Sequence, residues 1–263
     1  MKIENSNVLL TGAGGGIGFS LLKKLINKNA RVNAITRNPN PLKTFKKDSG
    51  YSDSQLSIIT ADINSDEGRN HIISKVNASQ YKINMLINCA GSNEFSSLSK
   101  MTDINIEQQL STNLLSPILI TKNLLPLLLK SKKAHIVNIG SSFDSIGYPG
   151  FSIYSASKFG LRGFTESLRR ELANTNIKVT LVSPRATNTR MNNSIVNQLN
   201  KELGNKYDES DYVAQQIIKA IEASKKEVYL GWPERIFTKI NRIVPSIVDK
   251  ALKKQLPIIQ KYL

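Results

Sequence analysis

Cysteine is nearly absent. The single Cys89 excludes a disulfide within the chain, and the two histidines, His71 and His135, stand too far apart to suggest a metal site, so no metal is expected. A reducing compartment is the natural expectation. Long hydrophobic runs are missing too: the most apolar stretch, LLSPILITKNLLPLLL at residues 114–129, is broken by Lys122, Asn123 and two prolines, which argues against a bilayer span. The opening residues, MKIENSNVLL, show neither the apolar run nor the cleavage site of a signal peptide, and a cytoplasmic location is expected. Acidic side chains are scarce, with 20 Asp and Glu against 36 Lys and Arg and a net charge of +16. Alone, that balance points to an anionic partner. The lysines are scattered, however, and no basic motif interleaved with aromatics occurs, so most of the charge reads as solvated surface and no nucleic-acid partner is expected.

What is present is alternation. Apolar segments NVLLTG, RVNAIT, LSIITAD, INMLINCAG, AHIVNIGSS and IKVTLVSP read as strands, and helical patterns over 65–80, 104–130 and 155–174 lie between several of them. Strands that are apolar almost throughout and alternate with helices imply a parallel sheet covered on both faces, a doubly wound α/β fold. At 263 residues the chain has room for one such domain, expected over 1–231, followed by a separate extension over 232–263.

The first strand runs into TGAGGGIG, residues 11–18, and then into an amphipathic helix. Positions without side chains let the backbone approach a pyrophosphate, and the helix N-terminus offers unpaired amides. Gly12, Gly14, Gly15, Gly16, Ile17 and Gly18 are therefore expected to bind a dinucleotide. At the end of the second strand a carboxylate would accept from the ribose 2′-hydroxyl, whereas a cation would pair with a 2′-phosphate. Thr36 and Arg37 stand there, so NADP(H) is favoured, with NAD(H) as the alternative. Asp62, with Ile63 beside it, closes the third strand and suits a hydrogen bond to the adenine amino group.

In YSASK, residues 154–158, a phenol and an amine are four residues apart and share one face of a helix. A nearby ammonium favours the phenolate, which brings Tyr154 toward proton exchange at neutral pH. A packed tyrosine beside a solvated lysine would look the same in isolation. Together with the glycine turn, NCAG at 88–91, Asn113 in a long helix, Ser141 after IVNIGS and SPRATNT at 183–189, it resembles the short-chain dehydrogenase/reductase family over about residues 5–230. Ser141 precedes Tyr154 by thirteen residues, the family's spacing.

The resemblance implies a Rossmann fold and an oxidoreductase that moves hydride between nicotinamide and a small carbonyl or alcohol substrate, possibly lipid-like or acyl. Ser141 would donate to the substrate oxygen and Tyr154 would protonate it. Lys158 would lower the tyrosine's pKa and hold the nicotinamide ribose, and Asn113 would anchor a water that leads to solvent. Asn88 would brace the sheet, Ala90 and Gly91 would flank the adenosine ribose, and Thr187 and Thr189, in the loop that opens with Pro184, would hold carboxamide and phosphates. A homodimer or homotetramer is expected. The alternative is a non-catalytic dinucleotide-binding redox sensor of the same fold.

Three positions depart from the family pattern. Cys89 replaces an asparagine and reads as a small buried residue. Gly15 stands where a basic residue is common, which leaves Arg37 to recognise a 2′-phosphate largely alone. Arg185 replaces a glycine, where it either grips pyrophosphate or a substrate carboxylate, or points outward. The extension carries seven basic and two acidic residues and an apolar stripe at helical spacing. Packing on the protein itself is favoured, with peripheral membrane contact as the alternative, and Pro245 and Pro257 are expected to break it into short helices.

Overall fold

A strand that is apolar at every position must be covered on both faces, and the sheet meets that demand by sending alternate side chains into two separate cores. The computed structural model describes residues 2–189, 191–232 and 234–263. From β1 (Asn7–Thr11), Val8 and Leu10 enter one core and Leu9 the other, and β4 (Met85–Asn88) divides Met85 and Ile87 from Leu86 in the same way. With β2 (Arg31–Thr36), β3 (Leu56–Thr60), β5 (Ala134–Ile139), β6 (Ile177–Ser183) and β9 (Glu227–Tyr229) they form a seven-stranded parallel sheet of order β3-β2-β1-β4-β5-β6-β9. The two-residue strands β7 (Thr187–Asn188) and β8 (Asp208–Glu209) pair apart from it.

One face is covered by α1 (Gly16–Asn27), α2 (Asn40–Ser49) and α8 (Ser210–Glu222), whose Leu21, Leu25, Leu42, Val213 and Ile217 join the first core. The other is covered by α3 (Asp66–Ala78), α5 (Ser116–Lys130) and α6 (Ser152–Glu171) through Ile72, Ile120, Leu124, Leu128 and Leu168. The doubly wound reading thus holds strand by strand. The helix ahead of β5 is continuous from α4 (Asp103–Leu110) through a π turn at Ser111–Leu115 into α5. By length and composition those 28 residues could cross a membrane. The packing of Ile120, Leu124 and Leu128 against the sheet identifies a core helix instead.

The extension forms α9 (Glu234–Ile243) and α10 (Pro245–Gln260), which with α7 (Ser194–Glu202) enclose the C-terminal end of the sheet. Pro245 opens α10, as expected for a residue with no amide proton to lose at a first turn. Pro257 does not break it: it lies three residues from the helix end, where one missing backbone bond is tolerated. Ile259 is fully buried in a small apolar cluster with Phe95, Phe151, Val196 and Leu199, and Tyr262 and Leu263 pack on its edge.

Candidate active site

Strand order reverses between β1, which runs on to β2, and β4, and the crevice beyond the carboxyl ends at such a switch point is where doubly wound sheets bind ligands. A cleft of about 1680 Å³ opens there. Its floor is the glycine turn. Gly12 has φ of +69°, and a Cβ on it would stand 2.7 Å from the backbone of Ala90, so glycine alone lets β1 and β4 close together. A Cβ on Gly16 would come within 2.7 Å of Thr189 and 3.0 Å of Ser210, which places the 187–189 loop directly over the start of α1. This cradle, filled by any side chain, fits a dinucleotide phosphate at a helix N-terminus.

Gly14, Gly15, Ile17, Gly18, Arg37, Asp62, Ile63, Ala90, Gly91, Pro184 and Thr187 also line the cleft. Arg37 is exposed beside Thr36, and neither has a carboxylate partner among the described residues. Thr11, which no sequence signal singled out, ties the two strands: its Oγ1 accepts from Cys89 N at 3.1 Å and Ala90 N at 3.2 Å. Cys89 is half-buried and lines the cleft, where it was expected to be buried, and desolvation pushes its thiol up to about 12.

The structure brings Ser141, Tyr154 and Lys158 to one wall of the cleft. Ser141 Oγ accepts from Phe143 N at 3.2 Å, which fixes its position and leaves its hydrogen free to donate. Lys158 is 4% exposed. Its Nζ donates to Ile139 O at 2.9 Å and lies 5.7 Å from the Tyr154 ring centre. Burial lowers its pKa to about 8. Burial also pushes the Tyr154 phenol up to about 12, partly offset by a hydrogen bond with Ser141. The shift thus runs opposite to the one expected from the lysine, because desolvation of the phenolate outweighs an ammonium this far from the ring.

Asn113 sits inside the π turn, fully buried, with both amide protons used by Ser92 O at 2.8 Å and Ser157 Oγ at 3.0 Å. Its Oδ1 accepts from Ser92 N at 2.9 Å. The side chain braces the 91–92 segment against α6 and has no amide proton left for a water. Asn88 likewise stays behind the cleft, donating to Asn138 Oδ1 at 2.8 Å and Thr121 Oγ1 at 3.3 Å, the sheet brace expected of it.

A buried carboxylate supports the serine. Asp144 has no solvent exposure. It accepts from Ser145 Oγ at 2.8 Å, Tyr229 Oη at 3.0 Å, Ser141 N at 3.3 Å and Ser183 Oγ. Burial raises its pKa despite these donors. The bond from Ser141 N, with Phe143 N on Ser141 Oγ, closes a capping box around the short turn that carries the serine. Tyr229 Oη also accepts from Arg242 on α9 at 2.6 Å, and Asn241 donates to Ser145 O at 2.7 Å. Only the capping-box spacing of Ser141 and Asp144 is local; the other partners, Ser183 and Tyr229, come from β6 and β9.

Arg185 does not point outward. It lines the cleft, and its guanidinium pairs with Asp208 at 2.8 Å and Glu234 at 3.4 Å, two carboxylates that β8 and α9 bring to it. The substrate half of the cleft has an apolar wall. Phe143, Tyr148 and Phe151 form one aromatic wall, with the first two stacked at 5.1 Å, and Val196, Phe237, Val248 and Leu252 face them. Among the described residues no group of three His, Cys, Asp or Glu side chains converges to hold a metal.

A glycine cradle at the switch point of a parallel sheet, with a serine, tyrosine and lysine on the adjoining wall, defines a nucleotide-dependent oxidoreductase. The sequence profile described as short chain dehydrogenase matches residues 6–200, and the chain belongs to that family. It is 32% identical over 190 residues to an acetoacetyl-CoA reductase of Acinetobacter sp. (strain RA3849), covering 72% of this chain and 77% of that one. In fold it is similar to a short-chain dehydrogenase of Burkholderia cenocepacia J2315 solved with NADP (TM-score 0.80, 22% identity, 96% and 99% of the two chains). It is also similar to one from Burkholderia phymatum solved with NAD (TM-score 0.83, 17% identity, 94% and 96%). The protein is an NAD(P)-dependent oxidoreductase acting on CH–OH or C=O groups.

Proposed function

We propose that the protein is an NADPH-preferring reductase of a carbonyl carried on an apolar or acyl chain, working in the cytoplasm as a homo-oligomer. One observation carries the reductase reading: Ser141, Tyr154 and Lys158 line one wall of the cleft beside the glycine cradle, with Lys158 Nζ 5.7 Å from the Tyr154 ring centre. A reductase needs a proton donor there, and a binding-only protein has no use for one.

When bound, the nicotinamide supplies the hydride. The chain does the rest. Ser141 Oγ, seated by Phe143 N, donates to the substrate oxygen and polarises the carbonyl. Tyr154 passes its proton to the same oxygen as negative charge develops on it. Lys158 spends one hydrogen on Ile139 O and keeps two for a ribose hydroxyl and for the reprotonation of Tyr154. Gly12, Gly16 and the amides that open α1 hold the pyrophosphate. The exposed guanidinium of Arg37, with no carboxylate at the end of β2, supports recognition of a 2′-phosphate. The aromatic wall supports an apolar substituent and keeps water from the reacting atoms. Leu115 in the π turn and Phe159 on α6, both exposed on elements that pack together, support pairing of two copies.

The reading is tested by supplying ketones, aldehydes and 3-oxoacyl thioesters and following NADPH consumption. NADPH-dependent reduction that rises with acyl length is expected, whereas no turnover of any carbonyl with cofactor bound would favour the redox-sensor alternative.

A further inference from the structure

The mouth of the cleft carries a helix turned inside out. An amphipathic helix normally buries its apolar stripe, but α9 seats polar groups. Thr238 is 1% exposed, Asn241 donates to Ser145 O at 2.7 Å, and Arg242 holds Tyr229 at 2.6 Å and Glu227 at 3.0 Å. Of its own hydrophobic residues Ile240 is half-buried, while Ile236, Phe237 and Ile243 are exposed. With Trp232 before the helix and Val244 and Ile247 after it, the exposures run from 37% at Ile236 and Phe237 to 81% at Ile243. Of fourteen large hydrophobics so exposed among the described residues, these six fall within residues 232–247, a concentration well beyond ordinary scatter.

Cations border the patch. Arg235, Lys239, Lys250, Lys253 and Lys254 are exposed, and among the described residues none meets a carboxylate. The cations of this segment that are paired, Arg242 with Glu227 and Lys261 with Glu202, lie on the protein side. Asp249 is the single unpaired carboxylate of the segment among the described residues. A second copy of this chain is a poor occupant, since face-to-face contact would set five unpaired cations against five more. A surface that is apolar inside and anionic at its face complements both features at once.

We propose that the α9–α10 elbow docks on an anionic lipid bilayer, its apolar side chains entering the headgroup boundary while the unpaired lysines hold lipid phosphates. Trp232 and Phe237 line the cleft as well as the patch, so docking turns the cleft mouth to the membrane and delivers the carbonyl substrate from the lipid phase. The delivery step rests on the reductase reading above; the docking does not.

The test is flotation of the full chain with vesicles of phosphatidylcholine alone and of phosphatidylcholine with phosphatidylglycerol in equal parts. The chain is expected to float only with the mixed vesicles and to be released by salt. Ile243→Ser with Ile247→Ser should abolish flotation. Lys239→Gln with Lys250→Gln should weaken binding about thirtyfold, from about 1 kcal/mol per lysine near the surface. Both doubles lie outside the catalytic wall and should reduce a short water-soluble ketone at the parental rate, which shows that they fold. Folded parent that fails to float, flotation that both doubles retain, or an apolar double that only dissolves a dimer seen in size exclusion each overturns the proposal. If the parent floats but reduces no carbonyl, the docking stands and the reductase reading falls.

Discussion

The two ends of the cleft are built by different means. At the cofactor end, function rests on backbone: β1 and β4 meet at Gly12 and Ala90, α1 starts under the 187–189 loop, and few side chains matter. At the substrate end it rests on side chains drawn from distant segments, with Asp144, Tyr229 and Arg242 behind the serine and α9 and α10 over the pocket. Backbone-built sites tolerate surface change and fail sharply at a glycine. Side-chain networks fail by degrees, through whichever partner is lost, and the two modes can be separated by substitution.

The sharpest separation comes from Tyr154→Phe, which keeps the ring and removes the transferable proton. Turnover should fall at least about a hundredfold while NADPH binding, followed by its fluorescence, stays near the parental value. Loss of binding as well would mean that the two ends do not act independently. Next in size, Ile259→Ala opens the cluster that seats α10 and should cost about 2–5 kcal/mol, read as a lowered melting temperature without loss of cofactor affinity at 25 °C. At the opposite end, Arg37→Ala should raise the NADPH dissociation constant about tenfold to a hundredfold and leave that of NADH unchanged, since a charge-assisted phosphate contact contributes about 1.5–3 kcal/mol.

Smaller effects refine the contrast. Lys158 is held at about 8 against 10.5 in water, so the folded state binds its proton more weakly than the unfolded state does. Its burial therefore costs stability in full below about pH 8, and the cost fades as pH rises toward 10.5. Lys158→Met should melt several degrees higher than the parent at pH 7, with no advantage left at the alkaline end, while being inactive. Asp144→Asn, the mildest, keeps one acceptor oxygen where two now serve, Oδ2 for Ser183 and Ser141 N and Oδ1 for Ser145 and Tyr229, and should lower kcat about tenfold with NADPH affinity intact. Because burial raises the Asp144 pKa, its carboxylate costs stability above the unfolded value, so the parent should lose stability relative to the variant as pH rises through the acid range.

The strands, the glycine turn and the YSASK pair were legible because each is a local pattern with a fixed period or spacing. NVLLT could only be a strand buried on both sides, and Tyr154 and Lys158 could only share a helix face. The ion pairs of Arg185 could not be read because its partners, Asp208 and Glu234, lie 23 and 49 residues away, beyond any local rule. The burial of Asp144 was hidden likewise, since Ser183 and Tyr229 reach it from β6 and β9. The direction of the tyrosine's shift was missed because spacing shows which charge is near but not how dry the site is. In the extension the apolar stripe of α9 was plain, yet the periodicity could not say which side would face the protein.

Beneath the catalytic wall, Asn88 on β4 and Asn138 on β5 stand opposite each other, joined at 2.8 Å, and Asn138 reaches on to Thr165 of α6 at 2.8 Å. Among neighbours such as Ile87, Val137 and Leu181, aliphatic contacts alone would scarcely distinguish one alignment of parallel strands from another shifted by two residues. The paired carboxamides do distinguish them. In a shifted alignment each would lie dry among hydrocarbon, at a cost of about 1–3 kcal/mol per unmet group. Matching them favours one register of β4 and β5, and with it the level at which Ser141 leaves β5 beside the end of β4.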